Sequence, residues 1–298
     1  MPVTLNDGDI LSMFAVGDGV NQDVGIFALP AGVEGFLVPL AGYVQIAHLA
    51  PFAADPDTAV SIEVDGVEVL SDVEFADSTG YLPLEADVEH LIEIFPAGSS
   101  TPAITGTATL MQGAEYAALA TGGANNWDLE LVLLEDDNSA PDAGKAHVRI
   151  GHLAPFAVGA ANTRADVRLQ DGTVLLDDVE YGDIAIYTPL DAGTYDLKIT
   201  TADGTTTLID PIPVVIAEGS VLSLFAVGDG VNQPAAVFAL PAGQPGFLLP
   251  DRYYVYLPFV MRSPERPLHL NTGPQWAGAH APAHFSPLVL PTNLRTLR

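Results

Sequence analysis

Apolar and polar residues alternate along much of this chain. In "HVRIGHL", Val148, Ile150 and His152 fall on one face, and His147, Arg149 and Gly151 fall on the other. "VSIEVDG" groups Val60, Ile62 and Val64, and "YDLKIT" separates Tyr195, Leu197 and Ile199 from Asp196 and Lys198. A period of two marks a strand with one buried face. Asp65-Gly66, Asp171-Gly172 and Asp203-Gly204 are hairpin dipeptides, because glycine tolerates positive φ. The stretch "LLDDVEYGDIAIYTPLDAGTYDLKI" reads as a strand, a turn and two more strands. No long segment carries a helical period, so the pattern predicts an all-β chain.

The pattern also repeats. "SMFAVGDGVNQDVGIFALPAG" from Ser12 returns as "SLFAVGDGVNQPAAVFALPAG" from Ser223, identical at 16 of 21 positions. "IAHLAPFA" at Ile46 returns as "IGHLAPFA" at Ile150, and "VDGVEVLSDVEFADSTGYLPL" from Val64 as "QDGTVLLDDVEYGDIAIYTPL" from Gln170. Gly8, Gly113 and Gly219 mark one ladder with a step of 105 or 106 residues. That step is too long for a solenoid repeat and fits whole domains in tandem. About seven short strands per unit indicates a β-sandwich. The expected architecture is therefore tandem Ig-like antiparallel β-sandwich domains over 42–143 and 144–250. Residues 1–41 read as the last strands of a truncated copy. Residues 251–298 read as an apolar strand-like segment, "DRYYVYLPFVMR", followed by a disordered tail.

The motifs His-x-x-Pro (His48 to Pro51, His152 to Pro155), Asp65 to Phe75 with Asp171 to Tyr181, and Tyr81 to Leu91 with Tyr187 to Leu197 resemble the bacterial domain-of-unknown-function family 4397. The first copy departs at "LEADVEHL", where the Gly-Thr-Tyr turn is lost. The resemblance implies exported sandwich domains, often in tandem on cell surfaces, and brings no catalytic residues with it.

Charge narrows the function classes. There are 38 acidic and 10 basic residues, for a net charge of −28. Such a surface repels nucleic acid and anionic membranes, so neither is an expected partner. Residues 1–250 hold 36 acidic and 5 basic residues, whereas 251–298 hold 2 and 5. No apolar run reaches the length of a membrane span. Residues 1–9 lack the basic and apolar regions of a signal peptide. Cysteine is absent, which removes disulfide and thiol chemistry.

Candidate chemistry is thin. His48 and His152 hold equivalent places, either as a repeated ligand site or as buried histidines bonded to a turn. His147 and His152 face opposite sides of their strand. His280 and His284 have helical spacing, but Pro282 stands between them. Asp55 and Asp57, or Glu135, Asp136 and Asp137, have carboxylates suited to calcium but not an EF-hand spacing, and the linker position of the second group suits a solvating role. "GDGVNQ" at Gly17 and Gly228 lacks the lysine and helix of a phosphate loop and reads as a turn. Trp127 and Trp276 do not recur between units, and Tyr81 and Tyr187 read as core or corner packing. No catalytic, cofactor-binding or metal-binding set emerges. The expected function is that of a non-enzymatic exported or cell-surface structural or adhesive protein. The competing reading is an extracellular module for carbohydrate or another ligand. Expected partners are an extracellular protein or polysaccharide, and a further copy of the chain through the N-terminal orphan hairpin.

Overall fold

A computed structural model describes residues 10–17, 25–32, 34–38, 40–252 and 269–270. It is built almost wholly of strands, with one short 3-10 turn at Ala160–Asn162. Strands β1 (Leu11–Val16), β2 (Gly25–Pro30) and β3 (Phe36–Val38) form a separate three-stranded antiparallel sheet. The expected hairpin thus has a third strand. Gly35 lets it approach: a Cβ there would lie 2.4 Å from the Phe27 ring, and Gly246 stands in the same relation to Phe238.

The first repeat contains β4 (Ala41–His48), β5 (Val60–Val64), β6 (Val67–Val73), β7 (Leu82–Glu85), β8 (Glu89–Pro96), β9 (Ile104–Thr109), β10 (Glu115–Thr121) and β11 (Glu130–Glu135). They form two sheets, β11-β10-β4-β7 and β6-β5-β8-β9. The second repeat contains β12 (Lys145–His152), β13 (Ala165–Leu169), β14 (Val174–Val179), β15 (Thr188–Asp191), β16 (Gly193–Tyr195), β17 (Leu197–Thr201), β18 (Thr207–Ile209), β19 (Val214–Ile216), β20 (Val221–Val227), β21 (Ala236–Pro241) and β22 (Phe247–Leu249). Its sheets are β15-β12-β20-β21-β22 and β14-β13-β17-β18, with a β16-β19 ribbon beside them. A final strand, β23 (His269–Leu270), extends the first repeat at β6, inside the tail whose sequence shows no periodicity.

Pairing is antiparallel except that β4 runs parallel to β10, and β12 parallel to β20. A parallel pair needs a long crossover. Here the crossover is the body of each repeat, which visits the other sheet and returns.

Each repeat encloses its own aliphatic core. Val44, Ile62, Leu70 and Ile94 lie in the first, and Val148, Ile199, Leu224 and Val237 in the second. A third core joins the repeats. Ala47, Leu49, Ala117 and Leu119 of the first pack with Leu153, Phe225, Phe238 and Leu240 of the second. The two repeats are therefore layered as four main sheets, and the middle strands of the two central ones, β4, β10, β12 and β20, are buried on both faces. Along β20, Leu222, Leu224 and Ala226 enter the inner core, while Phe225 and Val227 enter the shared one.

Candidate functional site

The shared layer is where the recurring residues converge. In "GDGVNQ" of the second repeat, Gly228 has φ +81, and a Cβ there would lie 2.1 Å from the Pro234 carbonyl oxygen. Only glycine fits. Asp229 Oδ1 then accepts from the backbone N–H groups of Val231, Asn232 and Gln233 at 2.8–3.1 Å. The loop is a self-closed turn between β20 and β21, as its sequence predicts. Its amides serve its own aspartate.

That turn aims two amide side chains at the first repeat. Asn232 Nδ2 donates to the Pro51 carbonyl at 3.1 Å, and Gln233 Nε2 to the Ala53 carbonyl at 2.9 Å. The reverse contact is also made. Asn125 Nδ2 donates to Pro155 O at 2.7 Å, and Trp127 Nε1 to Ala157 O at 2.9 Å. Pro51 and Ala53 sit in the first "HLAPFA", and Pro155 and Ala157 in the second. Each repeat thus grips the same loop of the other. Such reciprocity is the mark of a two-fold contact, here between repeats of one chain.

A buried polar cluster breaks that symmetry. Arg149 Nη2 and Asp136 Oδ1 lie 2.6 Å apart, with side chains 5% and 1% exposed. Tyr187 Oη donates to Asp136 Oδ1 at 3.0 Å, and Tyr81 Oη to Oδ2 at 2.8 Å. Arg149 also donates to Ser223 Oγ and to the Glu135 carbonyl, and lies 4.5 Å from the Tyr187 ring centroid. Burial and the neighbouring Asp136 charge push both tyrosine hydroxyls well above their usual pKa, so they remain donors. In the symmetric position to Arg149, Gln45 accepts from Gly243 N–H at 2.6 Å. The charge pair therefore fixes which repeat is which.

The two equivalent histidines are anchors of the gripped loops. His48 Nε2 lies 3.0 Å from the Thr58 carbonyl, and Ala50 N–H points at Nδ1, which places the proton on Nε2. Its ring stacks on Phe52 at 5.6 Å. His152 repeats this with Thr163, Ala154 and Phe156. Burial lowers the pKa of both, that of His48 from 6.5 to about 4. In the unfolded chain His48 takes up a proton near pH 6.5, but in the folded chain only near pH 4. Its stabilising contribution is therefore whole above pH 6.5 and is lost as pH falls towards 4, by on the order of 3 kcal/mol. Urea titrations of the chain and of His48→Gln across that window are expected to show the stability difference between them shrinking by that amount. A difference independent of pH contradicts a neutral buried ring.

The other sequence candidates fall as follows. The linker acids are not merely solvating: Asp136 is buried against Arg149 because the two central sheets close over it. Arg149 does not sit on a solvent face for the same reason. Asp137 caps Ser139 N–H. Asp55 and Asp57 lie in a surface turn. Among the described residues no three His, Cys, Asp or Glu side chains group as metal ligands. Asn21, Gln22, Trp276, His280, His284 and "YYVYLPFVMR" lie outside the described residues. Asn232 and Gln233 were not singled out by sequence. Their signal was the recurrence of Asn-Gln where a turn demands only Asp and Gly.

The profile of a family described as a domain of unknown function (DUF4397) matches residues 42–160 and 156–242. No curated protein matches. Among solved structures, the Bacillus anthracis TIE protein is 13% identical with a TM-score of 0.20, covering 82% of this chain, which spans 56% of that one. The CBM26 module of Eubacterium rectale Amy13K, solved with maltoheptaose, is 11% identical with a TM-score of 0.21, covering 67% of this chain and 96% of its own. Similarity at this level carries no inference about ligands. No helix among the described residues is long and apolar enough to cross a membrane.

Proposed function

The chain belongs to the DUF4397 family, and from that premise we propose that it is a non-enzymatic, exported or cell-surface structural protein. Its paired sandwiches act as a stiff spacer, and its N-terminal sheet joins one copy to another. The observation that carries this reading is the reciprocal contact between the repeats. The residues that recur, His48 with His152 and Tyr81 with Tyr187, are employed in fixing loops and joining sheets. Asn232 and Gln233 add the latch. The polar atoms of these histidines and tyrosines are spent on internal bonds.

The competing partner at that surface is a polysaccharide. Sugar-binding platforms present aromatic faces, but Phe52 and Phe156 stack on buried histidines, and Trp127 lies against Tyr181 at 4.3 Å. These contacts favour the spacer.

The test uses producing cells. A membrane-impermeant biotin reagent is expected to label the chain on intact cells, and the purified chain pulled from both ends should yield its two repeats in one coupled event. Recovery of the chain only after lysis contradicts a surface role. Two independent rupture events at low force contradict a stiff spacer.

A further inference from the structure

The two repeats differ inside. Between the sheets of the second repeat lies a cavity of about 300 Å³. Ala165, Val167, Ile199 and Val237 line its buried floor, and half-buried Leu176 and Val179 of β14 form its rim. In the first repeat the register puts Val60, Ile62 and Leu131 where Ala165, Val167 and Val237 stand. Leu70 and Val73, in the places of Leu176 and Val179, are fully buried there. Three shorter floor residues and an open rim thus replace a packed core. Leu224, which stands where the first repeat has Ala118, is the floor position that gains bulk, and the cavity remains beside it.

The lining decides what fits. It is aliphatic, with two polar side chains, and both are engaged. His152 is bonded to Thr163 and Ala154, and Asp183 Oδ2 accepts from Glu180 N–H. An apolar cavity without free donors offers water few partners and favours apolar guests. Engineered cavities of about 150 Å³ hold benzene, and ligand sites begin near roughly 300 Å³. Asp183 is exposed at the wall, and Asp177, Asp178 and Glu180 lie along the same edge; Arg164 pairs with Asp178 and Glu180, which leaves the edge net negative. An anionic head group is therefore repelled there.

We propose that the second repeat binds an uncharged aliphatic molecule, chain inward, between β13, β14 and β17, at a site that is filled in the first repeat. This goes beyond the spacer reading and does not depend on it.

The test is methyl NMR on the full chain with 1-decanol, with decanoate as the charged counterpart at neutral pH. Decanol is expected to shift methyl signals of Val167, Leu176 and Ile199, and to leave Ile62, Leu70 and Ile94 unmoved. Decanoate should bind at least fivefold more weakly. The double variant Ala165→Val/Val167→Ile installs the residues of the first repeat and should weaken decanol binding at least tenfold. Ala165→Val alone is the smaller step should the double variant misfold, with a severalfold loss expected. No shifts at saturating decanol, equal shifts in both repeats, or an unchanged Kd in the filled variants overturn the site. Equal binding of decanoate overturns the uncharged-ligand assignment.

Discussion

Replacing Asp136 by asparagine is expected to destabilise the folded chain by about 3–5 kcal/mol, the range for stripping one partner from a buried ion pair. The side chains of Arg149 and Asp136 are 5% and 1% exposed, so water does not compensate the lost charge. Arg149 retains Ser223 Oγ and the Glu135 carbonyl, but it loses its counter-ion. Two tyrosine hydroxyls lose a charged acceptor as well. Arg149→Met should cost a similar amount by orphaning Asp136. The combined Asp136→Leu/Arg149→Met variant should recover much of the loss, since apolar replacement of a buried pair is often neutral. Urea denaturation followed at Trp127 reads the contact directly, because its indole spans the repeats to Ala157. A Trp276→Phe background removes the second tryptophan. A loss under about 1 kcal/mol would match a solvated surface pair and would mean that the repeats are not closed against each other.

The outer sheets were legible because one face of each meets water. Val60, Ile62 and Val64 alternate with half-buried residues in the structure as they do in the sequence. The central sheets were legible only in part, since the sequence of β12 alternates whereas that of β10 and β20 does not, and the reason is physical. In "EYAALAT" and "VLSLFAV" both faces are buried, so alternation is replaced by a nearly continuous apolar run. Such a run announces a strand without saying what covers its second face. Arg149 therefore read as the polar side of β12, and Asp136 as one more acid in an acidic linker. Their pairing exists only once the repeats meet. The fixed points of the loops, Gly228 and Asp229, were visible as a turn signal. The cavity was not visible, because it depends on a few methyl groups and on how far β14 stands from the core. A tandem array is readable as a ladder of motifs. The way two rungs face each other is written in the residues that differ between them.

That distinction bears on the N-terminal sheet, which is expected to make this chain a dimer. Its strands reproduce β20, β21 and β22 closely: "LSMFAV" against "LSLFAV", "GIFALP" against "AVFALP", and "FLV" against "FLL". In the second repeat, Phe225 and Leu240 are 0% and 1% exposed, covered by the sheet of the first repeat. The matching Phe14 and Leu29 are 50% and 43% exposed, and Leu37 is 62% exposed. The first repeat cannot cover them, because its face is already occupied. A second copy can, since two such sheets related by a two-fold axis restore the contact that the repeats make within the chain. Phe14, Leu29 and Leu37 are already about half covered, so completing their burial contributes about 0.8–1.5 kcal/mol each. Six such side chains across the axis outweigh the lower part of an association cost of roughly 4–15 kcal/mol, so the sheet supplies a driving force for pairing. Light scattering on the eluting chain at tens of micromolar should give twice its 31.2 kDa. Phe14→Ser/Leu29→Ser should return it to a monomer, with Trp127 fluorescence and thermal stability of the repeats unchanged. Removal of residues 1–40 should do the same. A monodisperse monomer at about 100 µM would overturn the dimer, and a dimer that survives removal of residues 1–40 would place the contact elsewhere.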